Sequence, residues 1–212
     1  MEKGIYNIYK PKGPSSYDVI RRVKELTDEK RIGHGGTLDP LASGVLVVAI
    51  GREYTKKLDE FSRGKKEYEA TIKFGQTSTT QDEEGEKTNV KVNNIPSEND
   101  IKSALKDFVG DIKQTPPIFS ALKVKGQPAY KLARQGKDIE MKERKVKISN
   151  IKMLKYKWPT LKIRVGCSGG TYIRTLASDI GSSLKIGGYL AELKRVKVGN
   201  FKIEDSIHLE EK

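Results

Sequence analysis

Gly33-His34-Gly35-Gly36-Thr37-Leu38-Asp39-Pro40-Leu41-Ala42-Ser43-Gly44 runs without a break into Val45-Leu46-Val47-Val48-Ala49-Ile50. The second half is a continuous apolar run rich in valine, the pattern of a strand buried on both faces. The first half holds a single carboxylate, Asp39, with three glycines before it and one after. Glycine lets backbone approach a bulky ligand without a Cβ in the way. Pro40 biases Asp39 toward extended geometry, because its ring clashes with an α-region residue before it. Leu38, Pro40 and Leu41 set apolar groups around the acid. An Asp-Pro turn with spare glycines is the plain alternative. The glycines, the lone His34 and the strand behind them favour an acid held still at the edge of a rigid element.

Working outward, residues 4–11 read as a short strand stopped by Lys10-Pro11-Lys12-Gly13-Pro14. Ser15 or Ser16 then caps a helix whose apolar positions are Val19, Ile20, Val23 and Leu26. A second helix is expected over 52–61. Residues 66–74 alternate, with Tyr68, Ala70, Ile72 and Phe74 on one face, the mark of a half-buried strand. Residues 76–94 are polar and read as a loop or weak hairpin. Ser97 with Asp100 forms a capping box before an apolar stripe at Ile101, Ala104, Leu105 and Phe108. A short helix over 128–135, strands over 144–156 and 161–167, a helix over 171–184 and a strand over 189–198 complete the chain. This mixture predicts an α+β domain with a mixed central sheet flanked by helices, not a doubly wound one.

Lys and Arg number 41 against 28 Asp and Glu, a net charge of +13. Such a surplus points to a polyanionic partner, most often nucleic acid. It is concentrated: residues 113–164 hold 15 basic against 3 acidic side chains, while 76–111 hold 4 against 8. The basic stretch is therefore expected to grip phosphates. Cys167 is the only cysteine, so no intrachain disulfide forms. With no apolar leader and no run long enough to span a bilayer, a cytoplasmic protein with no membrane partner is expected. Two histidines and one cysteine cannot assemble a closed zinc site. Neither a phosphate-binding P-loop nor G-x-G-x-x-G occurs, and no serine sits in a nucleophile elbow. What is left is a metal-free site with a carboxylate, phenols and arginines.

Several stretches, in order along almost the whole chain, resemble the TruB family of tRNA pseudouridine synthases. They are Lys10-Pro11-Lys12-Gly13-Pro14-Ser15-Ser16, the Gly33–Gly44 loop, Lys66-Glu67-Tyr68, Pro116-Pro117-Ile118-Phe119-Ser120-Ala121-Leu122-Lys123, Gly170-Thr171-Tyr172-Ile173-Arg174-Thr175-Leu176, and Leu193-Lys194-Arg195. The resemblance implies the pseudouridine synthase catalytic fold and isomerisation of a T-loop uridine of tRNA, position 55. It implies Asp39 as catalytic carboxylate, Tyr68 stacking on the target base and placed to take its C5 proton, and Arg174 pairing with the acid. Tyr172 and Leu193 would line the site, and His34 would insert into the RNA loop. The basic segment from about 116 to 150 would be a thumb closing on the T-arm stem-loop. The chain stops near the end of the catalytic domain, so no C-terminal PUA domain is expected. A monomer without small-molecule cofactor is implied. A non-catalytic tRNA-binding or RNA-chaperone protein on the same scaffold is the alternative. The trio Asp39, Tyr68 and Arg174 favours the enzyme, since a pure binder does not need it.

Overall fold

The computed structural model describes residues 1–120, 122–124, 126–136 and 139–209, and the backbone alone of Lys123, Tyr130 and Arg134. In chain order the elements are β1 (Gly4–Lys10), α1 (Ser16–Glu25), β2 (Ile32–His34), β3 (Ala42–Ile50), α2 (Arg52–Thr55), α3 (Leu58–Arg63) and β4 (Lys66–Phe74). Then come β5 (Gln76–Ser78), β6 (Lys87–Asn89), α4 (Glu98–Lys106), β7 (Gly110–Gln114), β8 (Lys123–Val124), β9 (Gln127–Pro128) and α5 (Ala129–Arg134). The chain closes with β10 (Arg144–Lys157), β11 (Thr160–Cys167), α6 (Ile173–Ser183), β12 (Gly188–Val198) and β13 (Phe201–Lys202). It divides into two units, 1–69 with 164–170 and 192–212, and 70–163 with 171–191.

The first unit is built on β3. Every residue from Gly44 to Ile50 is buried, as the apolar run predicts. β1 pairs with it antiparallel, from Gly4 opposite Ile50 to Lys10 opposite Gly44. The Leu193–Arg195 part of β12 runs parallel along Ala42–Gly44, so the sheet is mixed. β2 lies antiparallel to the far end of β3, His34 opposite Val48. One face of β3 packs Leu46, Val48 and Ile50 against Val19, Ile20 and Val23 of α1. The other packs Val45 and Val47 against Val198 and the half-buried Phe61 and Phe201. Ser15 caps α1 in a reciprocal box with Asp18. The helix expected over 52–61 is instead two short ones, because the turn at Lys57 tightens onto the Tyr54 carbonyl (3.0 Å).

The second unit orders its strands β4-β11-β10-β7, and β10 runs antiparallel to β7. Ser97 and Asp100 cap α4 reciprocally, and Ile101 and Leu105 bury its stripe. α6 buries Ile173, Leu176, Ala177 and Ile180. Phe74, Gly188 and the Ala177 turn of α6 crowd together, which puts α6 on the apolar face of β4. The polar 76–94 stretch is a hairpin of β5 and β6. β7 is absent from the sequence reading. With Ile112 its one large apolar residue, it is legible only as an edge strand, at the end of the order. The segment expected as a thumb includes Ala121, Lys125, Lys137 and Asp138, which lie outside the described residues, as do Glu210, Glu211 and Lys212. Among the described residues no helix is long and apolar enough to cross a membrane.

Candidate active site

The loop between β2 and β3 is held by its backbone. Arg195, 1% exposed, donates from its guanidinium to the carbonyls of Gly36 (3.0 Å), Thr37 (3.5 Å) and Val45 (2.8 Å). The Ser16 hydroxyl, at the start of α1, accepts from the Leu38 amide (2.8 Å) and donates to the Leu38 carbonyl (2.9 Å). The Asp39 carbonyl accepts from Ala42 (3.0 Å) and that of Pro40 from the Gly13 amide (2.8 Å). Carbonyls 36 to 40 thus all have donors, from three separate parts of the chain. Gly44 serves the same end. Its φ is +109°, and a Cβ there would run into the Arg195 backbone, so only glycine lets β12 lie this close.

Asp39 is half-buried at the end of this loop. Lys10 is fully buried and donates to the carbonyls of Pro11 (2.8 Å), Pro14 (2.7 Å) and Pro40 (3.5 Å). Burial brings its pKa down to about 8, against the attraction of Asp39. Tyr68, 7% exposed, points from β4 to where Arg195 and Asp39 both act on its hydroxyl. Burial raises the phenol, with Arg195 pulling the other way. His34 is pushed down by burial and then by Arg195. Its Nδ1 is buried without a hydrogen-bond partner among the described residues. Leu193 stands opposite Ala42 in the parallel register, two positions from Arg195. Asp39 and Tyr68 therefore lie close together, with Arg195 within reach of Tyr68 and His34, while the register puts Leu193, opposite Ala42, at the other end of β3 from His34, opposite Val48.

Tyr172 and Arg174 belong to the second. Tyr172 precedes α6, and its backbone is tied to the Gln114 side chain, amide to oxygen at 3.0 Å and carbonyl to nitrogen at 3.2 Å. Arg174, 8% exposed, donates to Asp82 (3.2 Å) and to the Phe119 carbonyl (2.9 Å). Asp82, 1% exposed, also accepts from the Thr80 hydroxyl and the Glu84 amide. Asp82, Gln114 and the part played by Arg195 escape a reading of the sequence. Arg195 leaves a trace, since strand alternation puts it on the side of Leu193. Asp82, amid polar residues, leaves none.

A carboxylate on a backbone with no freedom, beside a buried phenol and buried cations, suits attack on, or proton removal from, one fixed carbon. Comparison with known proteins places the chain in a class, the pseudouridine synthases. The family model for the TruB family pseudouridylate synthase N-terminal domain matches residues 24–173, and that for the tRNA pseudouridylate synthase B C-terminal domain matches 174–211. The chain belongs to the TruB family of pseudouridylate synthases. It is 51% identical over 209 residues to tRNA pseudouridine synthase B of Clostridium acetobutylicum, covering 98% of this chain and 71% of that protein. The Francisella tularensis subsp. novicida protein of the same name is 45% identical over 210 residues, or 98% and 69%. Among solved structures, one chain of a Cbf5–Nop10–Gar1 complex superposes with a TM-score of 0.76 at 32% identity, over 97% of this chain and 52% of that one. A chain of an H/ACA ribonucleoprotein bound to a substrate RNA containing 2′-deoxyuridine gives 0.72 at 30%, over 97% and 50%. The chain thus spans about half the length of those two.

Proposed function

We propose that this chain isomerises uridine to pseudouridine in the T-loop of tRNA, at position 55. The C1′–N1 bond breaks, the uracil turns, a C1′–C5 bond forms, and the proton lost from C5 is balanced by one gained at N1. Asp39 acts either as nucleophile or by removing a ribose proton. Either way the reaction is split into easier steps by one oxygen donor. Tyr68 stacks on the base. Because burial raises its phenol, it keeps its proton at neutral pH, which favours stacking over removal of the C5 proton. Arg174, Tyr172 and Leu193 are further site residues, and His34, neutral at pH 7, shapes the RNA loop by packing. The nucleotide must leave its stack first, at roughly a few kcal/mol. The thumb over about 116–150 offsets this by closing on the T-arm of the tRNA. The protein acts as a cytoplasmic monomer.

The observation that carries this reading is the unbroken set of donors on carbonyls 36 to 40, which immobilises Asp39 in a chain of this family. T-arm RNA tritiated at C5 of uridine tests it. The wild type is expected to release tritium, and Asp39→Asn to be slower by about 10⁴-fold or more. Release by Asp39→Asn at the wild-type rate, or none by the wild type, would sink it. Hydrogen exchange tests the thumb: protection over 116–150 should rise when tRNA is added, and equal protection with and without RNA would remove it.

A further inference from the structure

The strands of the second unit carry a second charged feature. In β4 the buried residues are Ala70, Ile72 and Phe74, so Lys73 faces the other way. In β11 Leu161 and Ile163 are buried and Lys162 is exposed. In β10 Val146 and Ile148 are buried, and Lys145 and Lys147 are exposed. Beyond an irregularity at Ser149–Asn150, Ile151 and Met153 turn toward α4, which leaves Lys152 on the outer side. In β7 Lys113 is exposed beside the buried Gln114. Four adjacent strands, β4-β11-β10-β7, thus present lysines on the face away from α4 and α6. Among the described residues Asp111 stands opposite Lys147 and Glu143 lies 3.4 Å from Lys113, and Lys147 and Lys162 have further partners of their own. Lys145 lies directly opposite Lys113 in the ladder, an arrangement that disfavours pairing of the strands.

A merely solvated sheet face mixes its signs. The outward positions of the same strands in the first unit do so: Glu69 pairs with Arg164 at 2.5 Å, and Glu67 with Lys197 at 3.7 Å. On this face of the second unit lysines outnumber acids, on a rigid sheet whose strands lie roughly 4.8 Å apart. Such a surface complements a regular row of phosphates, contacts that position a nucleic acid without reading its bases.

We propose that this outer face is a second RNA-docking surface, which grips the sugar–phosphate backbone of the tRNA outside the modified arm. This rests on the reading of the chain as a tRNA enzyme. The strand lysines of the basic 113–164 stretch then do not serve the catalytic loop. They add affinity for the whole substrate without touching the chemistry.

The test compares wild type with Lys145→Glu/Lys147→Glu/Lys162→Glu and with the matching triple glutamine variant, each checked for an unchanged unfolding midpoint. Binding of full-length tRNA and of an isolated T-arm stem-loop is measured from 50 to 200 mM salt, with tritium release from both. For full-length tRNA the slope of log K against log salt should lessen by about 2 to 3, the value for three lost phosphate contacts. The T-arm stem-loop should bind and turn over as before. An unchanged slope for full-length tRNA overturns the proposal. So does an equal loss on both RNAs, which would put these lysines at the T-arm site. A wild type that binds both RNAs and converts neither would defeat the catalytic reading instead, and the binding slopes would still judge this one.

Discussion

Lys10 is charged, buried, and held by three carbonyls beside Asp39. Its amine titrates near 8 in the folded chain instead of 10.5. Between those values the unfolded chain holds the proton and the folded one does not, so this group's contribution to stability rises with pH. Activity should move the other way, because the protonated amine is the form that donates to Pro40 and faces Asp39. We expect kcat/KM to fall above about pH 8. Lys66 titrates near 8 as well, from burial and the nearby Arg195, but it caps the end of α3 through the carbonyls of Phe61, Ser62 and Gly64. Lys10→Arg should therefore flatten the alkaline limb and Lys66→Arg should leave it. A limb unmoved in Lys10→Arg would assign it elsewhere. At this scale the Asp39 loop was legible from its glycines and apolar neighbours, and the inward face of Tyr68 from alternation, its place beside the acid being implied by the family resemblance alone. Arg195 was not, because its partners are backbone carbonyls, and any sequence supplies those.

Among the elements, α1 shows how neighbouring residues divide their work. Ser15 makes the capping box with Asp18, hydrogen bonds that stay within its own helix. Ser16, one residue on, is buried and reaches across to Leu38. Ser15→Ala should lower stability by about 1 kcal/mol and leave turnover alone. Ser16→Ala strands the Leu38 amide and carbonyl away from water, at a cost of about 1–3 kcal/mol, and frees the residue before Asp39. Its kcat should drop while KM holds. Urea midpoints and tritium-release kinetics on the two variants check both, and equal kcat values would show that the clamp is only structural. The Ser97 capping box, a serine cap at 15 or 16 and most strands were legible, since local rules produce them. The split into α2 and α3 was not. A chain of apolar and charged residues without Pro between 52 and 61 reads as one helix, and only the tertiary path of the turn divides it.

Across the whole molecule the polar links are long, and no local pattern announces them. Arg174 reaches Asp82 and Phe119, Thr175 reaches Gln81 (2.9 Å), and Gln81 in turn accepts from the Leu190 amide (3.0 Å). The family motif made Arg174 legible, but a carboxylate 92 residues away could be found only in three dimensions. The ion pair is nearly closed to solvent, with side chains 9% and 2% exposed. Burying two charges costs most of what their attraction returns, so such a pair is retained for geometry more than for stability. Removing one partner is different, because the other charge stays buried. Asp82→Leu should cost about 3–5 kcal/mol. Asp82→Leu/Arg174→Met removes both charges and should recover much of that loss in urea unfolding, yet release no tritium from T-arm RNA. A double variant as unstable as the single would mean that the Asp82 carboxylate is needed by Thr80 and Glu84 for the hairpin fold itself. A double variant with wild-type release would remove Arg174 from the chemistry and leave the Asp39 loop to do it alone.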